Sequence, residues 1–137
     1  EVPLFQAQVN RRGSDVTVVA GLKMVNEALQ AAEQLAEEEV DVEIIDLMTI
    51  KPWDQETVLE SVQKTGRVVT VFENPKTAGP GSEISATVTE QVFHALKAPI
   101  KRVAGLDTPH AFAPVLEDYI LPSQQDIVNA IWDVIDY

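Results

Sequence analysis

Gly79, Pro80 and Gly81 stand between a β-branched apolar run (Val68, Val69, Val71, Phe72) and a helical pattern opening near Ser82. A strand, a glycine turn and a helix N-terminus in that order are the parts of a phosphate cradle, because free backbone N–H groups converge there on an anion. The details speak against it. A Walker-type loop needs lysine directly after its second glycine and a dinucleotide turn needs a third glycine, whereas Ser82, Glu83 and Ile84 follow here. Pro80 removes one N–H from the turn, and Glu83 puts a negative charge in the first helical turn, where it competes with an anion. A tight turn that lets strand and helix pack closely is the preferred reading; small-anion binding is its alternative.

Other reactive residue types are scattered. His94 falls off the Ile84/Val88/Val92 stripe and is expected on the surface. His110 follows Asp107 by three residues in a proline-rich stretch, and one imidazole with one carboxylate does not make a metal site. The absence of cysteine excludes disulfides, thiolate metal sites and cysteine nucleophiles, and fits a reducing cytoplasm, the expected location. No G-x-S-x-G elbow is present. Carboxylates such as Glu73, Glu83, Glu117 and Asp118 are so numerous that chance pairs are expected, so they assign no acid or base. Catalytic and metal-binding residues are therefore expected to be none.

The elements that would carry these residues alternate. Residues 1–13 lack periodicity and read as an entering linker, leaving 14–137 as one domain. "VTVVA" after Asp15 is a buried strand stopped by Gly21. From Leu22 to about Glu38, Val25, Ala28, Leu29, Ala32, Leu35 and Ala36 recur at helical spacing and give one small, alanine-rich face. Val40–Leu47 is a second strand. Asp54 is a candidate N-cap and Gly66 a C-terminal stop for the helix between them. "RVVTVFE" is a third strand, Ser82–Lys97 a third helix, and "IKRVAG" a short fourth strand. Leu106–Pro122 reads as a structured loop, and Ser123–Asp126 opens a last helix with a capping box. Strands and helices alternating on short connections imply a largely parallel sheet with right-handed crossovers and helices on both faces.

The chain's 137 residues suit one domain, and 45% hydrophobic content gives it a core. No apolar run approaches the ~20 residues of a membrane span, and no signal-peptide pattern precedes the domain. Ten basic against 22 acidic residues give a net charge of −12, which repels nucleic acid and anionic membranes and favours basic partners. The acids crowding Glu33–Asp46 read first as a solvated helix end and second as a docking patch. A start at Glu1 rather than Met reads as a piece of something longer.

Four stretches carry a resemblance, in order and at matching spacing: "RRGSDVTVVAG" (Arg11–Gly21), "DVEIIDLMTIKPWDQETVLESVQKTGRVVTVFE" (Asp41–Glu73), "GPGSEISATVTEQVF" (Gly79–Phe93) and "APIKRVAGLDTPHAFAPVLEDYILPSQQDIVNAI" (Ala98–Ile131). From about Gln6 to Tyr137 the chain resembles the C-terminal domain of the β subunit of thiamine-diphosphate-dependent 2-oxo acid dehydrogenases, the pyruvate, branched-chain and acetoin enzymes. Transketolase and deoxyxylulose-phosphate synthase share the first half, but their tails lack the Asp-Thr-Pro and Phe-Ala-Pro loop. The family usually reads Gly-Gly-Phe-Gly where Ala78-Gly79-Pro80-Gly81 stands here, so an aromatic that could pack on a neighbour is missing.

The resemblance implies an α/β fold, a three-layer α/β/α sandwich with a mostly parallel five-stranded sheet and one strand antiparallel. It implies a non-catalytic assembly domain that supports β–β pairing and docking to the dihydrolipoyl acyltransferase core. The implied partners are an α subunit, a second β subunit and the acyltransferase binding domain. Thiamine diphosphate and Mg²⁺ belong to the parent oxidoreductase, where a Gly-Asp-Gly motif of another domain holds them. No glycine of this chain is followed by Asp-Gly, so no cofactor-binding residue is expected and the isolated chain is expected to be inactive. Gly79, Pro80 and Gly81 are expected to meet a neighbouring subunit. Asp133, Asp136 and Tyr137 with its terminal carboxylate either face a basic acyltransferase domain or form an ordinary helix terminus. The alternatives are the C-terminal domain of a transketolase or deoxyxylulose-phosphate synthase-like enzyme, and an independent small-anion-binding module.

Overall fold

A computed structural model describes residues 3–108 and 114–137, the side chain of Glu117 excepted. In chain order the elements are β1 (Gln8–Arg11), β2 (Val16–Ala20), α1 (Met24–Ala36), β3 (Val42–Asp46), α2 (Gln55–Thr65), β4 (Val68–Pro75), α3 (Pro80–Val92), β5 (Lys101–Gly105), α4 (Pro114–Ile120) and α5 (Gln124–Ile135). The five strands form one sheet in the order β1-β3-β2-β4-β5. β1 runs antiparallel to β3; the other pairings are parallel.

β2 is buried at all five positions because helices cover both sides of it. Val16, Val18 and Ala20 face α1 and α5 together with Val42, Ile44, Val69 and Val71. Val19 points the other way, into a second core where Ile45, Val68 and Phe72 meet Val58 and Val62 of α2 and Ile84 and Val88 of α3. These are the three layers expected. Ala28, Ala31 and Ala32 have no exposed surface. Their small side chains let the α1 backbone approach the sheet and α5 closely.

Local signals set most helix ends. Asp54 caps α2 by accepting from the Thr57 N–H at 3.1 Å, and Gly66, at φ 74°, closes it with its N–H on Val62 O. That left-handed conformation is cheap for glycine alone. Ser123 and Asp126 form the reciprocal capping box of α5. Pro80 is the first residue of α3, where its missing N–H leaves no bond unmade.

The structure corrects three expectations. The segment read as a linker contains β1, whose residues Gln8 and Val9 pair with Asp46 and Ile45. An edge strand binds through backbone groups on one side and is only half-buried, so its side chains need not alternate. The stretch read as a loop contains α4, tied to the end of β5 by the Leu106 N–H on Ile120 O at 3.1 Å. Finally, α3 stops at Val92 and tightens into a 3₁₀ turn, Phe93–Ala95, instead of continuing to Lys97. The Lys97 N–H bonds Gly66 O instead, which pulls the chain across to the α2 terminus.

Candidate functional site

The Gly79–Gly81 turn is closed on itself. Its neighbour Thr77 donates its N–H and hydroxyl to Asp107 across the gap between the ends of β4 and β5. The Thr77 hydroxyl, then its amide, hold the Asp107 carboxyl below the ordinary value. Arg102 donates to Lys76 O at 3.1 Å and to Ser82 Oγ at 2.7 Å, and Ser82 Oγ donates to Lys76 O. A Cβ on Gly81 would lie 2.5 Å from Thr70 Oγ1, so glycine is what lets α3 sit this close to β4. The space remaining beneath the turn is about 10 Å³, bordered by Thr70, Gly81 and Arg102. That is room for about one water and far too little for a phosphate. The packing reading of the turn is the one its geometry supports.

Asp133, Asp136 and Tyr137 sit at the other end of the sheet. Arg67, beside the start of β4, donates from Nε to Val134 O, and Lys101 at the start of β5 lies 3.5 Å from Asp133. Gly79–Gly81, by contrast, follow the carboxyl end of β4. The two sets of expected contact residues therefore do not converge. Asp136 is the C-cap of α5, and Tyr137 is 79% exposed. Tyr137 lines an open groove of about 550 Å³ with Phe93, Leu96, Lys97 and Pro99. The sequence reading passed over Phe93, which is 69% exposed. Its signal was an aromatic lying off the inward stripe where α3 breaks.

Glu43 was also passed over, as one acid in a run of acids. It is 2% exposed and accepts from Ser61 Oγ, Lys64 Nζ and the Gly13 N–H. Thr17 Oγ1 links the same Ser61 to Thr65 at 2.7 and 2.8 Å. Burial opposes ionisation of Glu43, but the bonds from Lys64, Ser61 and Gly13 outweigh it and hold the carboxyl below its usual value. With its oxygens engaged on three sides, this carboxylate clamps α2 to the sheet and is not free for proton transfer.

His94 is exposed on the 3₁₀ turn, as expected. His110 lies outside the described residues. Among the described residues no group of three or more His, Asp or Glu is placed to hold a metal ion, and no helix is long and apolar enough to cross a membrane.

The fold is a mixed, mostly parallel five-stranded sheet covered by helices on both faces, with a packed glycine turn after the carboxyl end of β4. Residues 6–127 match the family model described as transketolase, C-terminal domain, and the chain belongs to that family. It is 46% identical over 129 residues to the pyruvate dehydrogenase E1 component subunit beta-1, mitochondrial, of Arabidopsis thaliana, covering 94% of this chain and 36% of that protein. Identity is 43% over 136 residues to 2-oxoisovalerate dehydrogenase subunit beta 2 of the same plant, and 44% over 136 to the pyruvate dehydrogenase E1 component subunit beta of Rickettsia felis. Those alignments span 99% of this chain but 37% and 42% of the relatives, so the chain corresponds to about two-fifths of their length. Among solved structures, a split-gene transketolase described as an inactive beta4 tetramer superposes with a TM-score of 0.84 at 29% identity, over 98% of this chain and 43% of that one.

Proposed function

We propose that this chain is the assembly domain of the β subunit of a thiamine-diphosphate-dependent 2-oxo acid dehydrogenase, supporting β–β pairing and docking to the dihydrolipoyl acyltransferase core. The observation that carries the reading is similarity over 94–99% of this chain, at 43–46% identity, to part of the β subunits of pyruvate and 2-oxoisovalerate dehydrogenases. The 29% identity to a transketolase makes that enzyme class the weaker alternative. The residues present do not fit the cofactor's diphosphate: the one glycine turn that could receive it encloses about 10 Å³ and spends its polar groups internally. In this reading the cofactor's site is built outside this chain, and the domain's part is to hold the walls of that site in register.

The groove at the chain terminus supports core docking. Its lining brings together two aromatic side chains, Phe93 and Tyr137, with Leu96, Pro99 and one cation, Lys97, on a domain of net charge −12. Asp136 caps the helix that ends beside the groove, and aromatic anchors on a strongly acidic domain suit a small basic one. Asp133 contributes less, because Lys101 lies within 3.5 Å of it. The test removes Asp136 and Tyr137 from the assembled enzyme and measures binding to the acyltransferase's binding domain at several salt concentrations. The expected result is weaker binding and a flatter salt dependence. Unchanged affinity with unchanged salt dependence would sink the docking role while leaving the assembly role standing.

A further inference from the structure

The carboxyl ends of β2, β3 and β4 enclose a cavity of about 330 Å³, well away from the groove at Tyr137. From β2 the chain leaves through α1 to β3 on one face of the sheet, and from β4 it leaves through α3 to β5 on the other. Where crossovers part in this way they leave a crevice between the strand ends, the place where open α/β sheets take ligands.

Leu47 and Phe72, both buried, form the inner wall of the crevice. Leu22, Met48 and Ile50 stand at its mouth, 79%, 47% and 50% exposed. Leu22 and Met48 hold φ of 54° and 64°, a left-handed conformation that long side chains adopt at a cost. Backbone strain of this kind, used to present apolar groups to water, gathers at binding sites. The charged side chains of the lining, Asp46 and Glu73, are both anionic. Asp46 accepts from the Met48 N–H with one oxygen, and Glu73 makes no side-chain hydrogen bond among the described residues. Neither carboxylate is paired with a cation there.

Apolar walls with two unpaired carboxylates complement a cation carried on an aliphatic stem. The rim decides the source: a free amine would fill the crevice yet leave Leu22, Met48 and Ile50 in water, whereas a polypeptide bearing that cation would cover them. A second copy of this chain brings another −12 charges with it, so a different, basic chain is favoured. We propose that the crevice at the ends of β2, β3 and β4 receives an arginine or lysine side chain, flanked by apolar residues, from a partner polypeptide. This contact goes beyond the acyltransferase reading and does not depend on it, since that groove lies at the opposite end of the sheet.

The test is an NMR titration of the chain with three probes: acetyl-Leu-Arg-Leu-amide, its citrulline counterpart of equal shape and no charge, and n-butylguanidinium. The arginine peptide should shift the amides of Gly21, Met48 and Asn74 and bind about fivefold or more tighter than the citrulline peptide. Asp46→Asn combined with Glu73→Gln should erase that difference without moving the thermal midpoint. Met48→Asn, which suits the left-handed backbone, should weaken both peptides. Equal affinity for the two peptides, or no shift at the crevice, would overturn the proposal. n-Butylguanidinium binding as tightly as the arginine peptide would assign the crevice to a free cation, and self-association that the peptide displaces would assign it to a second copy; either result also overturns it.

Discussion

Glu43 shows how one side chain can matter through its surroundings. Its folded-state pKa is depressed, so its stabilising effect is present above the unfolded value near 4.5 and fades as pH falls through the lower folded value. Asp41 and Asp54 are shifted in the same direction and add to the same acid limb. Urea midpoints recorded from about pH 6 down to about pH 3 should fall for the parent chain. Glu43→Gln should cost about 1–3 kcal/mol at neutral pH and show a shallower fall, because the remaining amide cannot pair with Lys64. Gly81 makes its point through the absence of a side chain. Gly81→Ala should cost about 1–3 kcal/mol, since the new Cβ meets Thr70 Oγ1 at 2.5 Å. Adding Thr70→Ala should recover much of the loss in a double-mutant cycle.

At the scale of elements, α2 depends on its two ends. Asp54 accepts from Thr57 N–H and Thr57 Oγ1, and its second oxygen also takes the Ala7 N–H at 3.0 Å. One carboxylate thus caps α2 and fastens the chain leading into β1. Asp54→Ala should exceed an ordinary cap deletion, costing about 2 kcal/mol. Amide exchange at Gln8–Arg11 should quicken along with that of the first turn of α2; exchange confined to α2 would separate the two roles. These caps were legible in sequence because a cap is a local contract between residues three apart. β1 and α4 were not legible, for the opposite reason: β1 is held by backbone bonds to β3, and α4 is anchored at the Ile120 carbonyl by the distant Leu106 amide.

For the whole molecule, the decisive contact is α1 lying against both the sheet and α5. Ala28, Ala31 and Ala32 allow it, and a larger side chain there has nowhere to go. Ala28→Leu should lower the thermal midpoint by several degrees, corresponding to about 1–3 kcal/mol of overpacking. A drop smaller than that of a surface alanine on the same helix would show that the layers can part without cost. The same layering separates the Tyr137 groove, beside the starts of β4 and β5, from the acidic crevice at the opposite strand ends.

The alternation of apolar runs and helical stripes was enough to indicate a largely parallel α/β sheet covered on both faces, because period and burial follow directly from local side-chain order. Asp54, Gly66 and Ser123 likewise announced their caps. The closed turn at Gly79–Gly81, the engaged Glu43 and the groove that Phe93 shares with Tyr137 were settled only by tertiary structure. Each brings together residues tens of positions apart in the chain, such as Thr77 and Asp107 or Gly13 and Glu43. Such contacts form only once the sheet order is chosen, and no local pattern records a neighbour that folding alone supplies.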